Sequence, residues 1–238
     1  MTPTRATIAD NVRRVRDQLA AAALAARRDP AEVTLVAVSK YVDSAAAAEL
    51  LAAGCFDLGE SRPQELWSKA SVERLQPARW HLIGPLQRNK IRRTLPLTTL
   101  IHSIDDLRLL SAIDAEARQA GLAPQILLEV NCSGETAKQG FAPDELRSQL
   151  AALEVHQHVK IVGLMTMAPL AGGELAARRT FAALRQLRDR LAVEASPAMR
   201  LTQLSMGMSG DFAAAIAEGA TLVRIGSALF EETDGKRD

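Results

Sequence analysis

The sequence predicts an α/β fold, a single (β/α)8 TIM barrel of parallel strands. Three observations carry that expectation. Eight short strand-like runs, the first of them apolar and β-branched, alternate with helical stripes along the chain. The 238 residues can bury a full core and fit one barrel as well as two small domains. No linker, low-complexity tract or close repeat divides them, so 1–238 reads as one domain.

Residues 4–28 place Ile8, Val12, Val15 and Leu19 on one helical face, and Asp29-Pro30 is expected to end that helix. Residues 33–38 form the first strand. Residues 44–53 are alanine-rich helix, closed by Gly54. Residues 56–60 are a short second strand, and Pro63 opens a helix to residue 70. The third strand covers 80–84, a helical piece 89–93, and the fourth strand 100–102. Ser103 is expected to cap a helix over 105–120 that Gly121 stops. The fifth strand covers 125–130, and Pro143 opens a helix to about residue 153. The sixth strand covers 160–164. Residues 174–193 carry Phe181, Leu184, Leu187 and Leu191 as one stripe. The seventh strand covers 201–204, Ser209 is expected to cap a helix to residue 218, and 222–225 is the eighth strand. Too few residues follow for a full outer helix, so the N-terminal helix is expected to complete the outer ring.

Composition excludes several function classes. Lys and Arg number 29 against 28 Asp and Glu, a net charge of +1, which offers no broad surface for nucleic acid or an anionic membrane. The run from Arg88 to Arg93 has no stacking aromatics and suits a solvated helix face. No apolar run is long enough to span a bilayer, and the first ten residues hold no signal region. Cys55 and Cys132 stand in no metal-ligand spacing and read as reduced thiols, which points to the cytoplasm. His156 and His158 lack companion ligands, so no metal site is expected. The outer helices show no surplus apolar face, and a monomer is the expectation.

Chemistry in such a barrel sits at the C-terminal strand ends. The first strand ends on Lys40, at the rim of an apolar core. Burial there disfavours the ammonium, and a neutral amine can form a Schiff base with an aldehyde. The alternative is a lysine whose head reaches water. Strands seven and eight end in Ser205-Met206-Gly207-Met208-Ser209 and Gly226-Ser227. Loops after these two strands commonly hold phosphate, and glycines let backbone N–H groups approach an anion. Gly207 reads equally as a position needing positive φ. Arg224 alternates inward, where it meets either a ligand acceptor or a mouth carboxylate such as Glu60 or Glu129. A lysine and a phosphate cradle suit pyridoxal 5′-phosphate (PLP), an aldehyde that carries a phosphate.

The motifs Val36-Ala37-Val38-Ser39-Lys40, Gly59-Glu60, Trp80-His81-Leu82-Ile83-Gly84, Gly163-Leu164-Met165-Thr166-Met167, Ser205-Met206-Gly207-Met208-Ser209 and Val223-Arg224-Ile225-Gly226-Ser227 resemble, in order, the PLP homeostasis proteins (the YggS/PROSC type). The resemblance runs from about Val33 to Phe230. It implies a barrel of the alanine racemase N-terminal type, fold-type III among PLP proteins. It also implies PLP on Lys40, Arg224 facing the pyridine nitrogen, and phosphate near Ser205, Met208, Gly226 and Ser227. Ser61 stands where family members have asparagine near the cofactor, and Pro85 stands where they have histidine. Ser61 is shorter and would need a water to reach the same place. His81 is a candidate to line the site, with His102 less favoured. Met165 either packs on the ring or fills the core. Lys138 lies in a loop that could bring a basic head to PLP, or it is solvated.

Two functions follow. The first is a PLP-binding protein without catalytic turnover, which buffers PLP or delivers it to apo PLP-dependent enzymes. The second is a PLP-dependent racemase. A racemase needs acid/base groups on both faces of the substrate carbon. The single tyrosine, Tyr41, follows Lys40 directly and is expected on the other side of the strand. With no second base in view, no catalytic residue is assigned.

Overall fold

A computed structural model describes residues 5–135, 138–196 and 199–231. Eight parallel strands close into a barrel in the order β1 to β8, each paired with its sequence neighbour and β1 paired with β8. The strands are β1 (Thr34–Val38), β2 (Asp57–Glu60), β3 (Arg79–Leu82), β4 (Leu100–Ile104), β5 (Gln125–Glu129), β6 (Lys160–Met165), β7 (Gln203–Ser205) and β8 (Leu222–Ile225).

The outer layer begins with α1 (Arg5–Ala25), α2 (Ser44–Ala52), α3 (Pro63–Ala70), α4 (Ile91–Thr94) and α5 (Leu107–Ala120). It continues with α6 (Pro143–Ser148), α7 (Leu150–Glu154), α8 (Gly173–Glu194), α9 (Phe212–Ala217) and α10 (Ser227–Phe230). The four-residue α10 cannot cover β8 alone. Helix α1 packs against α2, α9 and α10 and completes the ring, as the short C-terminal segment predicted. Buried Asn11 ties the two ends, its Nδ2 donating to Leu229 O at 3.3 Å and Glu231 O at 2.7 Å.

Alternation along the strands divides the apolar side chains in two. Val36, Leu100, Leu127, Met165 and Leu222 face inward and pack on one another. The larger core lies between the wall and the helices, with Ala37, Leu58, Leu82, Ile126, Leu164, Leu204 and Val223 facing out onto it.

Three expected caps are corrected. Helix α1 ends before Asp29-Pro30, because Arg27 adopts a left-handed φ of 57° and Arg28 N–H reaches back to Ala23 O. Ser103 belongs to β4, where it donates to Gly84 O at 2.6 Å, and Asp106 caps α5 through Leu109 N–H. Ser209 does not cap α9, since Asp211 stands at that position. The expected helix 143–153 is broken at Gln149 into α6 and α7. Cys55 and Cys132 are free thiols. Among the described residues no helix is long and apolar enough to cross a membrane.

Asn11→Ala removes both bonds of the end-to-end clasp and leaves the buried carbonyl of Leu229 unpaired. We expect a loss of about 1–3 kcal/mol in urea unfolding. An unchanged midpoint would show that α1 is held by its apolar face alone.

Candidate functional site

The C-terminal end of β1 is built from behind. Ser39 faces the outer layer, fully buried. Its N–H donates to Gly59 O at 2.9 Å and its hydroxyl to Glu60 Oε1 at 2.8 Å. Its carbonyl accepts from Lys69 Nζ at 2.8 Å, and the same ammonium meets Glu60 Oε1 at 2.5 Å. Lys69 and Glu60 are both buried, so this pair is shielded from water. Strand β2 carries Glu60 outward by alternation, and α3 carries Lys69 inward beside Pro63 and Leu66. The cluster fixes the peptide from which Lys40 springs. It also corrects the reading of Glu60 as a partner for Arg224. Lys69 was not singled out from sequence, although a lysine three residues after Leu66 on the buried helical stripe was the available signal.

Lys40 itself lies in the turn after β1 and is exposed. Burial is therefore not what prepares its amine, which corrects the premise of an apolar rim. The ammonium rests 4.8 Å from the centroid of the Tyr41 ring. Tyr41 was expected across the strand. The strand stops at Val38, so alternation does not reach Tyr41, and its ring is 88% exposed beside the lysine.

Arg224 points into the barrel from β8, opposite Val36 of β1, with 5% of its surface exposed. Its Nη1 donates to Ser205 Oγ at 2.5 Å and its Nη2 to Thr166 O at 3.0 Å. Both acceptors are neutral, and among the described residues no carboxylate stands within ion-pair distance. Burial draws its pKa down to about 10, against the pull of the Glu129 and Asp211 carboxylates, so it stays protonated at neutral pH. Glu129 stands two residues above inward-facing Leu127. Burial, and then Asp105, push its carboxyl up to about 7, while Arg224 pulls the other way.

Several expected cofactor contacts are displaced. Ser205 is fully buried beneath Arg224, its hydroxyl engaged by Arg224 and by His102 Nδ1 at 2.8 Å, so that side chain does not face a phosphate. His81 lies mid-strand and low in the barrel, bonded to His102 at 2.9 Å and to Asp57 at 3.1 Å, and does not line the C-terminal mouth. The buried polar line through His102 and Asp57 has no periodic signature in the sequence. Met165 packs in the inner apolar layer, the core alternative. Met208 N–H is taken by Asp211 Oδ1 at 2.5 Å, and the Met208 side chain is exposed.

Other expected residues stand at the mouth. Ser227 and Ser209 bring their hydroxyls to 3.2 Å of each other, with Gly226 beside Val38. Gly207 has φ 91°, and a Cβ there would lie 2.6 Å from that of Ala215, so the positive-φ reading holds. Ser61 is partly exposed after β2, its carbonyl so close to Gly84 that a Cβ there would lie 2.4 Å away. Lys138 donates to Ala168 O at 2.7 Å and pairs with Glu135 at 2.6 Å, which ties the loop after β5 to the loop after β6. No metal-binding cluster occurs among the described residues.

A cofactor with an aldehyde at one end and a ring acceptor at the other fits this arrangement. The mouth offers an exposed primary amine after β1 and, on the adjacent strand β8, a buried guanidinium whose bonds go to neutral acceptors. The hydroxyls of Ser209, after β7, and Ser227, after β8, stand together beside Gly226 and can donate to an anion.

Comparison with known proteins bears on this arrangement. The alanine racemase N-terminal domain family matches residues 5–234. A protein of Pseudomonas aeruginosa named pyridoxal phosphate homeostasis protein is 42% identical over 229 residues, 96% of each chain. The structure of PipY from Synechococcus elongatus with PLP bound aligns at TM-score 0.84 and 38% identity, over 94% of this chain and 100% of that one. An alanine racemase of Clostridium difficile aligns at TM-score 0.72 but 14% identity, and this chain covers 58% of it, so it shows the fold alone.

Lys69→Met strands the Glu60 carboxylate in the wall, and we expect a loss of about 3–5 kcal/mol in chemical unfolding. Adding Glu60→Leu should restore most of it, and equal stability of the single and double variants would refute the pairing. Glu129 gives a pH test. Its carboxyl holds a proton up to about 7 in the fold and to its ordinary 4.5 in the unfolded chain. Between those values the folded state binds more protons, so stability falls as pH rises through that window and then levels. Glu129→Gln should flatten the fall when urea midpoints are compared at about pH 5 and about pH 8.

Proposed function

The chain belongs to the pyridoxal phosphate homeostasis proteins, within the alanine racemase N-terminal domain family, and on that premise we propose that it holds PLP covalently on Lys40 for buffering or delivery. The related proteins carry a homeostasis name and not that of an enzyme. PLP brings an aldehyde for the lysine and an electron-accepting ring. The observation that carries the reading is the pairing of an exposed amine with a buried guanidinium lacking a carboxylate partner, on adjacent strands of one barrel.

Each residue has a task under this reading. Lys40 supplies the amine, and its exposure lets a carbonyl approach without opening the core. The clamp on Ser39 holds the base of that side chain while its tip stays free. Arg224 donates to the pyridine nitrogen and, being protonated, keeps that nitrogen without a proton. A ring so held draws electrons weakly, which suits storage over turnover. Ser227, Ser209 and Gly226 receive the phosphate. Ser61 completes the mouth through a water. Tyr41 lies against Lys40, on the same side as the amine. It therefore does not offer acid/base chemistry on the opposite face of a substrate carbon, as racemisation needs.

The open mouth favours exchange with apo PLP-dependent enzymes, and the chain acts as a cytoplasmic, one-domain monomer without nucleic acid or membrane. Purified protein supplied with PLP should show an imine absorbance band that Lys40→Ala abolishes. Transfer to an apo-enzyme should then outrun release into buffer if the protein delivers PLP, and match it if the protein only buffers. A chain that takes up no PLP, or one that racemises an amino acid with a dependence on Lys40, would overturn the reading.

A further inference from the structure

Five polar side chains cross the barrel interior in one unbroken line. Arg224 Nη1 meets Ser205 Oγ at 2.5 Å, and Ser205 Oγ meets His102 Nδ1 at 2.8 Å. His102 Nε2 meets His81 Nδ1 at 2.9 Å, and His81 Nε2 meets Asp57 Oδ1 at 3.1 Å. The line begins beneath the C-terminal mouth. It ends at a cavity of about 270 Å³ at the opposite mouth, lined by Asp57, Arg79, His81, Gln125 and Gln203. Holding PLP on Lys40 calls on none of Asp57, His81 or His102.

The line has a direction. Asp57 is ionised: burial opposes this, but hydrogen bonds from Arg79 and His81 hold its carboxyl well below the usual range. It accepts, so His81 Nε2 donates. In a neutral His81 the other nitrogen accepts, so His102 carries its proton on Nε2. His102 Nδ1 then accepts, and the Ser205 hydroxyl donates to it. Arg224 donates to the Ser205 oxygen. Each donor finds an acceptor in this single arrangement, with a cation at one end and an anion at the other. Burial, and then His81 and Arg224, hold His102 well below the usual histidine range, consistent with its neutral place in the line.

Taking up one proton reverses the line: the His102 Nε2 proton passes along its hydrogen bond to His81 Nδ1, the added proton binds His102 Nδ1, and His102 donates from there to Ser205. The Ser205 oxygen now accepts from both sides, and its own hydroxyl proton must turn out of the line. A hydroxyl that no longer donates is a weaker acceptor, so the hold on Arg224 slackens. We propose that His102, with His81 behind it, is a positioning relay for Arg224, which makes the grip of Arg224 on the cofactor ring answer to protonation at the far mouth of the barrel. The cofactor half rests on the reading that Arg224 faces the PLP ring.

The charged surroundings are few. Asp57 of β2 and, through it, Arg79 of β3 face His81. His81 and Arg224 act on His102, and Glu129 and Asp211 act on Arg224 from beyond it. Glu129 acts on Arg224 with its own carboxyl pushed up to about 7, so Glu129→Gln is the background that isolates the relay.

The test uses the full chain with ¹⁵N-labelled histidine, four in number. Without PLP, ring ¹⁵N shifts should show His81 and His102 both as Nε2–H tautomers at neutral pH. His102 should change to Nδ1–H in step with protonation of His81. With PLP loaded in the Glu129→Gln background, the absorbance of the bound cofactor should step at the same midpoint. His81→Phe should abolish the step and weaken PLP binding by up to about tenfold, the worth of one ordinary hydrogen bond. Asp57→Asn, far from the cofactor, should move the step to lower pH and serves if His81→Phe does not fold. Fixed tautomers, or a step that survives in either variant unmoved, overturn the relay while PLP still binds Lys40. A wild-type chain that takes up no PLP overturns the cofactor half together with the Lys40 reading.

Discussion

Closing eight parallel strands into a barrel forces each strand to give alternate side chains to a narrow interior and to a helical shell. That constraint sorts the strand residues of the site. On β1 it sends Val36 inward and Ala37 outward, and beyond the strand it sets Ser39 against the shell. On β2 it sends Glu60 outward to Lys69, where the carboxylate cannot compete for Arg224. On β8 it sends Leu222 and Arg224 inward together, one into the apolar layer and one above it. A register slip of one residue on β8 would place Val223 in the mouth and a guanidinium among the apolar side chains of the shell.

An ionised guanidinium in such an interior is costly unless it is hydrogen-bonded. The barrel meets that cost with Ser205 Oγ and Thr166 O and leaves Glu129 and Asp211 to act at a distance. With no carboxylate in direct contact, the guanidinium keeps a place for an acceptor other than protein carboxylate. Glu129 is the complement of this choice. Raised to about 7, it stands between neutral and charged forms near Arg224, so the local field responds to solution conditions.

Much of the fold was legible in the sequence because strands such as β1, β5 and β6 are short apolar runs and each long helix carries a stripe. The eight strands follow from that periodicity, and Pro63–Ala70 and Leu222–Ile225 are bounded as expected. The caps were less legible, because Ser103 and Ser209 have the right chemistry but stand beside aspartates that compete for the same role. In the site, Arg224 could be placed by alternation within a strand. Tyr41 could not, because its strand had already ended. Ser205 and His81 have the side chains a ligand wants, yet three-dimensional neighbours claim them first, and those partners come from strands distant in sequence.

The rear clamp bears on the kind of site this is. A lysine that shuttles protons during turnover profits from a fixed amine close to its substrate and its partner base. Here the order lies in the peptide: bonds to Gly59, Glu60 and Lys69 fix Ser39, while the next side chain reaches into solvent past the Tyr41 ring. Such a lysine has a firm base and a free tip. Were an aldehyde to join it, water or a competing amine could reach the linkage and undo it. A deep, dry pocket would protect the linkage and favour chemistry on it. An open one favours capture and return, and the exposed mouth around Lys40 is of the second kind.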